Sequence, residues 1–404
     1  MKTVEEKFKS SCFYKLPERL NAYDKIFIYG AGGVGKFMMI YFSEVGLSDK
    51  VNGFVVTFNK NIGGGGIVSQ ELLGKPIIQI DLADIGENDL VLLSARKAIR
   101  EEMLSTCNAL NLKNILEIDF FDGLTPYENL PESEYPLFIK CWYKLKTGKN
   151  LNLDHPKTFN EKIQWLKLYD RQPIKTIMCN KYLVRDYIKE QIGEEYLVPL
   201  LGVWDKFDDI DFDKLPNQFA LKCNTGSEWN AIVRDKSKFD IPAAKKKFDL
   251  WMQKNPVNIR FLTQYKDVPL KIIAEKYLEN ENGDLFDYKF WCFGGKVKFI
   301  MFLSNRAHGL LMDNYDLDWN LLPFTYNYPN SGHKIEKPDN LDEMIALAEK
   351  LAAGFSHLRV DFYRLNDGSI KFGEFTFTSF GGVCDWHPKE MDEILGKLIK
   401  LPID

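Results

Sequence analysis

Val360-Asp361-Phe362-Tyr363-Arg364-Leu365-Asn366-Asp367-Gly368-Ser369-Ile370-Lys371-Phe372-Gly373-Glu374-Phe375-Thr376-Phe377 reads as two strand-like runs on either side of Asp-Gly. Asp-Gly is a preferred two-residue hairpin turn, because both central positions need positive φ. A loop of Asp367 and Gly368 sets Asn366 opposite Ser369 and Asp361 opposite Glu374. Alternation then gives Val360, Phe362, Phe375 and Phe377 one face, and Arg359, Asp361, Glu374 and Thr376 the other. Two carboxylates directly across a ladder repel each other. On a shielded face they need a cation, and their placement suits Mg²⁺. That ion takes one or two protein carboxylates and completes its shell with phosphate oxygens and water. A solvated hairpin, with the acids relaxed by water and by Arg359, satisfies the same pattern.

Upstream of this hairpin, strands and turns dominate from residue 215 onward, with one helix expected over residues 341–353. Residues 123–200 read as a helical lead-in. Pro126, Pro131, Pro136 and Pro156 punctuate its beginning. Thr158-Phe159-Asn160-Glu161 has the form of a capping box, with a helix through Trp165 and Leu168 to follow. A second helix is expected from Lys181 to Gln191, stopped at Gly193.

Residues 24–122 alternate strand-like and helix-like patterns, which points to a parallel, doubly wound sheet. Strands are expected at 25–29, 51–58, 90–94 and 114–118, a helix at 36–45, and a loop at the glycine run 63–66. Gly30, Gly32 and Gly35 form GxGxxG between the first strand and its helix, a context that permits a pyrophosphate at the helix N-terminus. A dinucleotide fold of this kind needs an acid at the end of the second strand to hold a ribose. Here that stretch is Val55-Val56-Thr57-Phe58-Asn59, so NAD is not expected. A tight structural turn with no ligand also accounts for the glycines.

The chain has 404 residues, enough for two or three domains, and a formal net charge of -4, which gives it no general attraction to nucleic acid. Its opening, MKTVEEKFKSSCFYKLPERL, lacks the apolar run of a signal peptide, and no apolar stretch approaches the ~20 residues of a membrane span. The cysteines at 12, 107, 141, 179, 223, 292 and 384 form no CxxC pair. Reduced thiols in a cytoplasmic protein are the expectation.

From Lys157 to Leu401 the chain resembles the TupA-like ATP-grasp family, associated with teichuronopeptide and capsular polysaccharide biosynthesis. The stretches that carry the resemblance are KTFNEKIQWLKLYD, NKYLVRDYIKEQIGEEYLVPLLGVWD, IDFDKLPNQFALKCNTGS, IAEKYLEN, DYKFWCFGGKVKFI and RVDFYRLNDGSIKFGEFTFT. The resemblance implies ATP held between two α+β subdomains. Lys222 then stands where such enzymes place a lysine on the phosphates, with Asn224-Thr225-Gly226-Ser227 as a phosphate-covering loop. The chain departs from the family at Thr225, where a histidine is common, and at Glu228, where a glycine is common. Glu275-Lys276-Tyr277-Leu278 resembles the hinge whose backbone bonds adenine. Asp287 fits the acid that contacts ribose, and Lys289 shares its face within reach of a phosphate. Asp361 and Glu374 match the magnesium acids, with Thr376 where many ATP-grasp enzymes have an asparagine. Arg359 and Arg306 are candidates for stabilising transferred phosphate. The N-terminal segment, through IYGAGGVGK, NGFVV and LLGKPII, is similar to small Rossmann-like sugar-nucleotide domains of sugar acyltransferases.

The expected architecture is therefore a Rossmann-like domain over residues 1–122 and an ATP-grasp domain over 123–404. The implied activity is an Mg²⁺- and ATP-dependent carboxylate–amine ligase joining an amine or amino acid to a sugar acid of a surface polysaccharide. A nucleotide-sugar is a further ligand implied for the first domain. Two other readings stand beside this one: a glycosyltransferase, and a non-catalytic nucleotide- or glycan-binding protein.

Overall fold

The computed structural model describes residues 9, 11–57, 71–95, 97–118, 130–226, 228–253, 261–265, 268–279, 285–305, 309–326 and 328–403. The glycine run 63–66, Ser227 and Arg306 lie outside the described residues. The chain divides into two compact units, Met1–Leu151 and Asn152–Asp404.

In the first unit the runs Ile26–Tyr29 (β1) and Leu90–Leu93 (β5) are buried at every position. Unbroken burial of this kind belongs to a parallel sheet covered on both faces. With Val51–Val56 (β2), Glu71–Leu72 (β3), Lys75–Gln79 (β4) and Ile115–Glu117 (β6) they make a six-stranded sheet of order β3-β4-β2-β1-β5-β6. All neighbours pair in parallel except β3, which folds back on β4 as an antiparallel edge. The second strand ends at Val56, earlier than expected, and residues 58–70 lie outside the described residues.

Helix Gly33–Glu44 (α1) follows β1, and Lys97–Ala109 (α2) follows β5. The turn into α1 needs two of its glycines. Gly30 has φ +112°, and a Cβ on Gly35 would lie 1.9 Å from the Gly30 carbonyl oxygen. Helix Tyr135–Thr147 (α3) belongs to this unit by packing, because Phe138 stacks edge-on against Phe13 and lies beside Tyr41 of α1.

The second unit contains two antiparallel sheets. Leu200–Trp204 (β7), Phe219–Cys223 (β8), Asn230–Val233 (β9) and Ile272–Lys276 (β10) form one of order β7-β10-β8-β9. Its core packs Leu221, Ile272 and Ala274 against Ala244 and Phe248 of helix Ile241–Met252 (α7 in chain order). The larger sheet has order β13-β12-β11-β15-β16, built from Phe286–Phe293 (β11), Lys296–Ser304 (β12), Leu311–Tyr315 (β13), His357–Arg364 (β15) and Ile370–Thr376 (β16). Thr325–Tyr326 (β14) and Trp386–His387 (β17) make a separate two-stranded ladder.

Helices Phe159–Tyr169 (α4), Ile174–Cys179 (α5), Val184–Gln191 (α6) and Leu341–Ala352 (α8) cover the larger sheet. One face packs Phe290, Val360 and Phe362 against α6 and α8. The other packs Trp291 and Phe299 against Phe159 and Ile163 of α4.

The capping box forms as expected: Thr158 accepts from the Glu161 amide at 3.2 Å, and Glu161 accepts from the Thr158 amide at 3.0 Å. The polar face of α4 is not solvated. Lys162 donates to the Ile399 carbonyl at 2.8 Å, and Lys167 to the Gly381 carbonyl at 2.6 Å. Asn160 pairs with Cys384 through both of that residue's backbone polar groups. Helix α4 thus pins the C-terminal segment beside the sheet, and its buried polar groups are paid for by hydrogen bonds.

Candidate active site

In the smaller sheet, antiparallel pairing sets Ala220 opposite Glu275 and Lys222 opposite Ile273, so Lys222 and Glu275 share a face. The Lys222 ammonium lies 2.6 Å from Glu275 Oε2, and Arg185 of α6 lies 3.3 Å from Oε1. The segment after β8 is held from two sides. Asn224 donates to the Pro269 carbonyl and accepts from the Lys271 amide, each at 2.9 Å. Its side chain is therefore a pin for the loop, where the sequence suggested a phosphate contact. Lys181 clamps the same loop, donating from its backbone amide to the Asn224 carbonyl at 2.8 Å and from its ammonium to the Gly226 carbonyl at 2.7 Å. Gly226 has φ +81°, and a Cβ there would meet the Trp229 ring at 2.5 Å. Thr225 is buried and Glu228 is exposed. Burial pushes the Cys223 thiol up to about 12, so it is a packing residue and not a nucleophile.

The expected hinge leaves β10 at its last residue. Lys276 gives its backbone N–H to the Pro199 carbonyl at 2.9 Å. Tyr277 accepts from Arg234 Nε and donates to Glu279, both at 2.8 Å. Leu278 lies just past the strand end, half-buried.

The larger sheet carries the second group of charges. Asp361 pairs with Glu374 across β15 and β16, and with Lys289 across β15 and β11. The turn differs from the expected one. Gly368 donates to the Leu365 carbonyl and has φ +81°, so the loop is Asn366-Asp367-Gly368, three residues long. This displaces the register by one. The irregularity between Asp361 and Phe362, with Gly373 as the extra residue, displaces it back. The two offsets cancel and leave the acids opposed.

Asp361 is buried and saturated with donors. Arg359 reaches Oδ1 through Nε and Oδ2 through Nη2, each at 2.7 Å, and the Lys289 ammonium lies 2.5 Å from Oδ2. Lys289 also lies 2.8 Å from Asp287 Oδ2, and Arg359 lies 3.3 Å from Glu374 Oε1. Burial pushes the Asp361 carboxyl up, but Arg359 and Lys289 outweigh it and hold the group below the usual carboxylate range. Burial likewise opposes the Arg359 charge, and Asp361 reverses the effect.

A cavity of about 20 Å³, room for about one water, lies beside the first charge group, and its walls include Lys181, Arg185, Lys222 and Glu275 together with Phe372 and Gly373 of β16. Loss of water pulls the Lys181 ammonium below the usual lysine range, and Glu374 acts against that shift. Lys181 is thus electrostatically coupled to the hairpin acid as well as to the smaller sheet. Sequence reasoning missed Lys181 and Arg185. Their four-residue spacing in Lys181-Tyr182-Leu183-Val184-Arg185 was the available signal, but their partners lie 45 and 90 residues away.

Among the described residues no group of three or more His, Cys, Asp or Glu could hold a metal. The opposed pair of Asp361 and Glu374 fits Mg²⁺ only in the manner that leaves most of its shell to phosphate and water. Thr376 stands opposite Arg359 in the ladder.

The family model described as "TupA-like ATPgrasp" matches residues 161–400. No curated protein matches the chain. Among solved structures, an L-amino acid ligase from Bacillus licheniformis is 12% identical, with 94% of this chain and 76% of that one covered and a TM-score of 0.37. N5-carboxyaminoimidazole synthetase from Staphylococcus aureus is 13% identical, with coverages of 87% and 70% and a TM-score of 0.32. D-alanyl-alanine synthetase A from Vibrio cholerae is 10% identical, with coverages of 95% and 96% and a TM-score of 0.32. These are distant likenesses, and neither substrate nor mechanism follows from them.

Proposed function

The chain belongs to the TupA-like ATP-grasp family, a family of ATP-dependent ligases, and we propose that it joins an amine or amino acid to the carboxylate of a sugar acid destined for a surface polysaccharide. The observation that carries the reading is the pairing of cations with acids on both sheets, Lys222 with Glu275 at 2.6 Å on the smaller and Arg359 and Lys289 with Asp361 at 2.7 and 2.5 Å on the larger.

A carboxylate resists amines because it is anionic and has no good leaving group. In the proposed reaction a carboxylate oxygen attacks the γ-phosphorus of ATP, the bond to the β-γ bridging oxygen breaks, and ADP leaves. The amine nitrogen then attacks the acyl carbon, the carbon–oxygen bond to phosphate breaks, and the nitrogen loses a proton. Phosphoryl transfer depends on positioning and on neutralising charge. Lys222 and Lys181 supply positive charge from the smaller sheet and its clamp, and Arg359 and Lys289 supply it from the larger sheet. Arg359 offers a planar fork suited to phosphate oxygens. Gly226 and Ser227 cover the phosphates, with Asn224 holding their loop. The strand end from Glu275 through Leu278 receives adenine, and Asp287 receives ribose. Asp361 and Glu374, with Thr376 beside them, would hold Mg²⁺, which would supply further neutralisation of phosphate charge. Arg306 is assigned to the same transferred phosphate.

The first unit is read as a Rossmann-like domain that positions the acceptor or a nucleotide-sugar, and the chain as a cytoplasmic enzyme. Among the described residues no helix is long and apolar enough to cross a membrane. The test is incubation with Mg-ATP and a panel of uronic acids and amines, read by mass spectrometry. ADP, phosphate and a new amide are expected together. Turnover of a nucleotide-sugar in the absence of ATP would overturn the reading in favour of a glycosyltransferase.

A further inference from the structure

Asp361 faces a conflict between two tasks. A divalent cation needs its carboxylate oxygens, yet both already accept charged hydrogen bonds, from Arg359 Nε and Nη2 at 2.7 Å and from Lys289 Nζ at 2.5 Å. Asp361 is 1% exposed, so bulk water cannot compete for these donors. Lys289 is further tethered to Asp287 at 2.8 Å, which places its ammonium between two acids. Glu374 is different: its side chain is 44% exposed and only Oε1 meets Arg359, at 3.3 Å. The open partner of the pair is too solvated to hold a cation by itself, and the buried partner is occupied by the protein's own cations.

We infer that Lys289 is a positioning residue that stands in the metal's place on Asp361 and makes metal binding conditional on nucleotide. This rests on the ATP-grasp reading of the site. A polyphosphate gives Lys289 and Arg359 an equivalent anionic partner. When they turn to phosphate oxygens, Asp361 is released to the metal. The exchange is reciprocal, so metal must favour nucleotide by the factor with which nucleotide favours metal. Lys222 repeats the arrangement on the smaller sheet, with its ammonium held by Glu275 at 2.6 Å. The site's charges are thus satisfied internally until a phosphate chain enters.

The test uses Mn²⁺ as the probe, with free aquo-Mn²⁺ followed by electron paramagnetic resonance on the full chain, with and without ATP. Without nucleotide, wild type and Glu374→Gln should retain Mn²⁺ equally poorly. With ATP, wild type should bind it far better than the variant. Lys289→Met should raise nucleotide-free Mn²⁺ affinity by about 5-fold or more, the lower end of ordinary coupling between sites. Lys298→Met, an exposed change on the same sheet, should leave it alone. The inference is overturned if nucleotide-free wild type binds Mn²⁺ more tightly than Glu374→Gln. It is also overturned if folded Lys289→Met binds no better than wild type. The first comparison needs no change at Lys289, so it decides the matter even if that variant fails to fold. A parallel calorimetric ATP titration separates the two levels. No ATP binding refutes the ATP-grasp reading, and the nucleotide-free Mn²⁺ comparison still judges Lys289.

Discussion

Replacing Lys222 by Met removes an ammonium at nearly constant volume. In the folded protein the lost partner is Glu275 Oε2 at 2.6 Å, and Glu275 keeps Arg185 at 3.3 Å. A hydrogen bond to a charged group contributes roughly 1.5–3 kcal/mol, and the remaining arginine offsets part of that, so folding should weaken by about 1–2 kcal/mol. ATP binding should suffer more directly. Losing one charge-assisted contact to phosphate, at roughly 1.5–3 kcal/mol, corresponds to about 10- to 150-fold in Kd. Adenosine carries no phosphate, and its affinity should change little. The assay is isothermal titration of ATP and adenosine into both proteins, with urea unfolding as the control for stability. Equal losses for ATP and adenosine would refute the phosphate role of Lys222. Unchanged ATP affinity would refute it as well.

Glu374→Gln keeps shape while removing one of the opposed charges, and ADP formation should fall by orders of magnitude with the unfolding midpoint nearly unchanged; steady-state ADP release checks this. His357 is buried, and burial lowers it to about 3, so the unfolded chain binds the extra proton between that value and its ordinary 6.5. Stability from this group is therefore full above pH 6.5 and is lost as pH falls toward 3. His357→Asn should reduce the slope of unfolding free energy against pH by about 1.4 kcal/mol per unit between pH 4 and 6, measured by urea titration. In the helix Met391–Gly396 (α9), alanine at 396 would ordinarily help. Here a Cβ would lie 2.2 Å from the Lys157 carbonyl oxygen, so Gly396→Ala should instead destabilise by about 1–3 kcal/mol in a thermal melt.

Local signals were legible in the chain and distant ones were not. The capping box from Thr158 to Glu161 spans four residues, and its geometry follows from their types alone. The apolar alternation of β15 and β16 located the paired acids, but alternation cannot reveal a bulge. The three-residue loop and the extra Gly373 offset one another, so the pairing of Asp361 with Glu374 survives a turn that was misread. The helix expected from Lys181 is regular from Val184, and the turn before it is capped by Asn180, whose side chain accepts from the Tyr182 and Leu183 amides and whose carbonyl accepts from the Val184 amide at 2.9 Å. The burial of the polar face of α4 was not legible. Its partners are backbone carbonyls more than 200 residues away, which no local pattern encodes. The same distance hid Lys181 and Arg185. Lys222 and Glu275 were proposed for phosphate and adenine through resemblance, and their mutual ion pair was not foreseen.

The nucleotide site is assigned to the two sheets of the second unit together. Its most direct test is a calorimetric titration of ATP with Mg²⁺ into wild type, Lys222→Met and Glu374→Gln, one substitution from each sheet. The expected result is one ATP per chain in wild type, with affinity reduced tenfold or so, or more, by either substitution in a folded protein. Saturable ATP binding that ignores both substitutions, or no ATP binding by folded wild type, would contradict it.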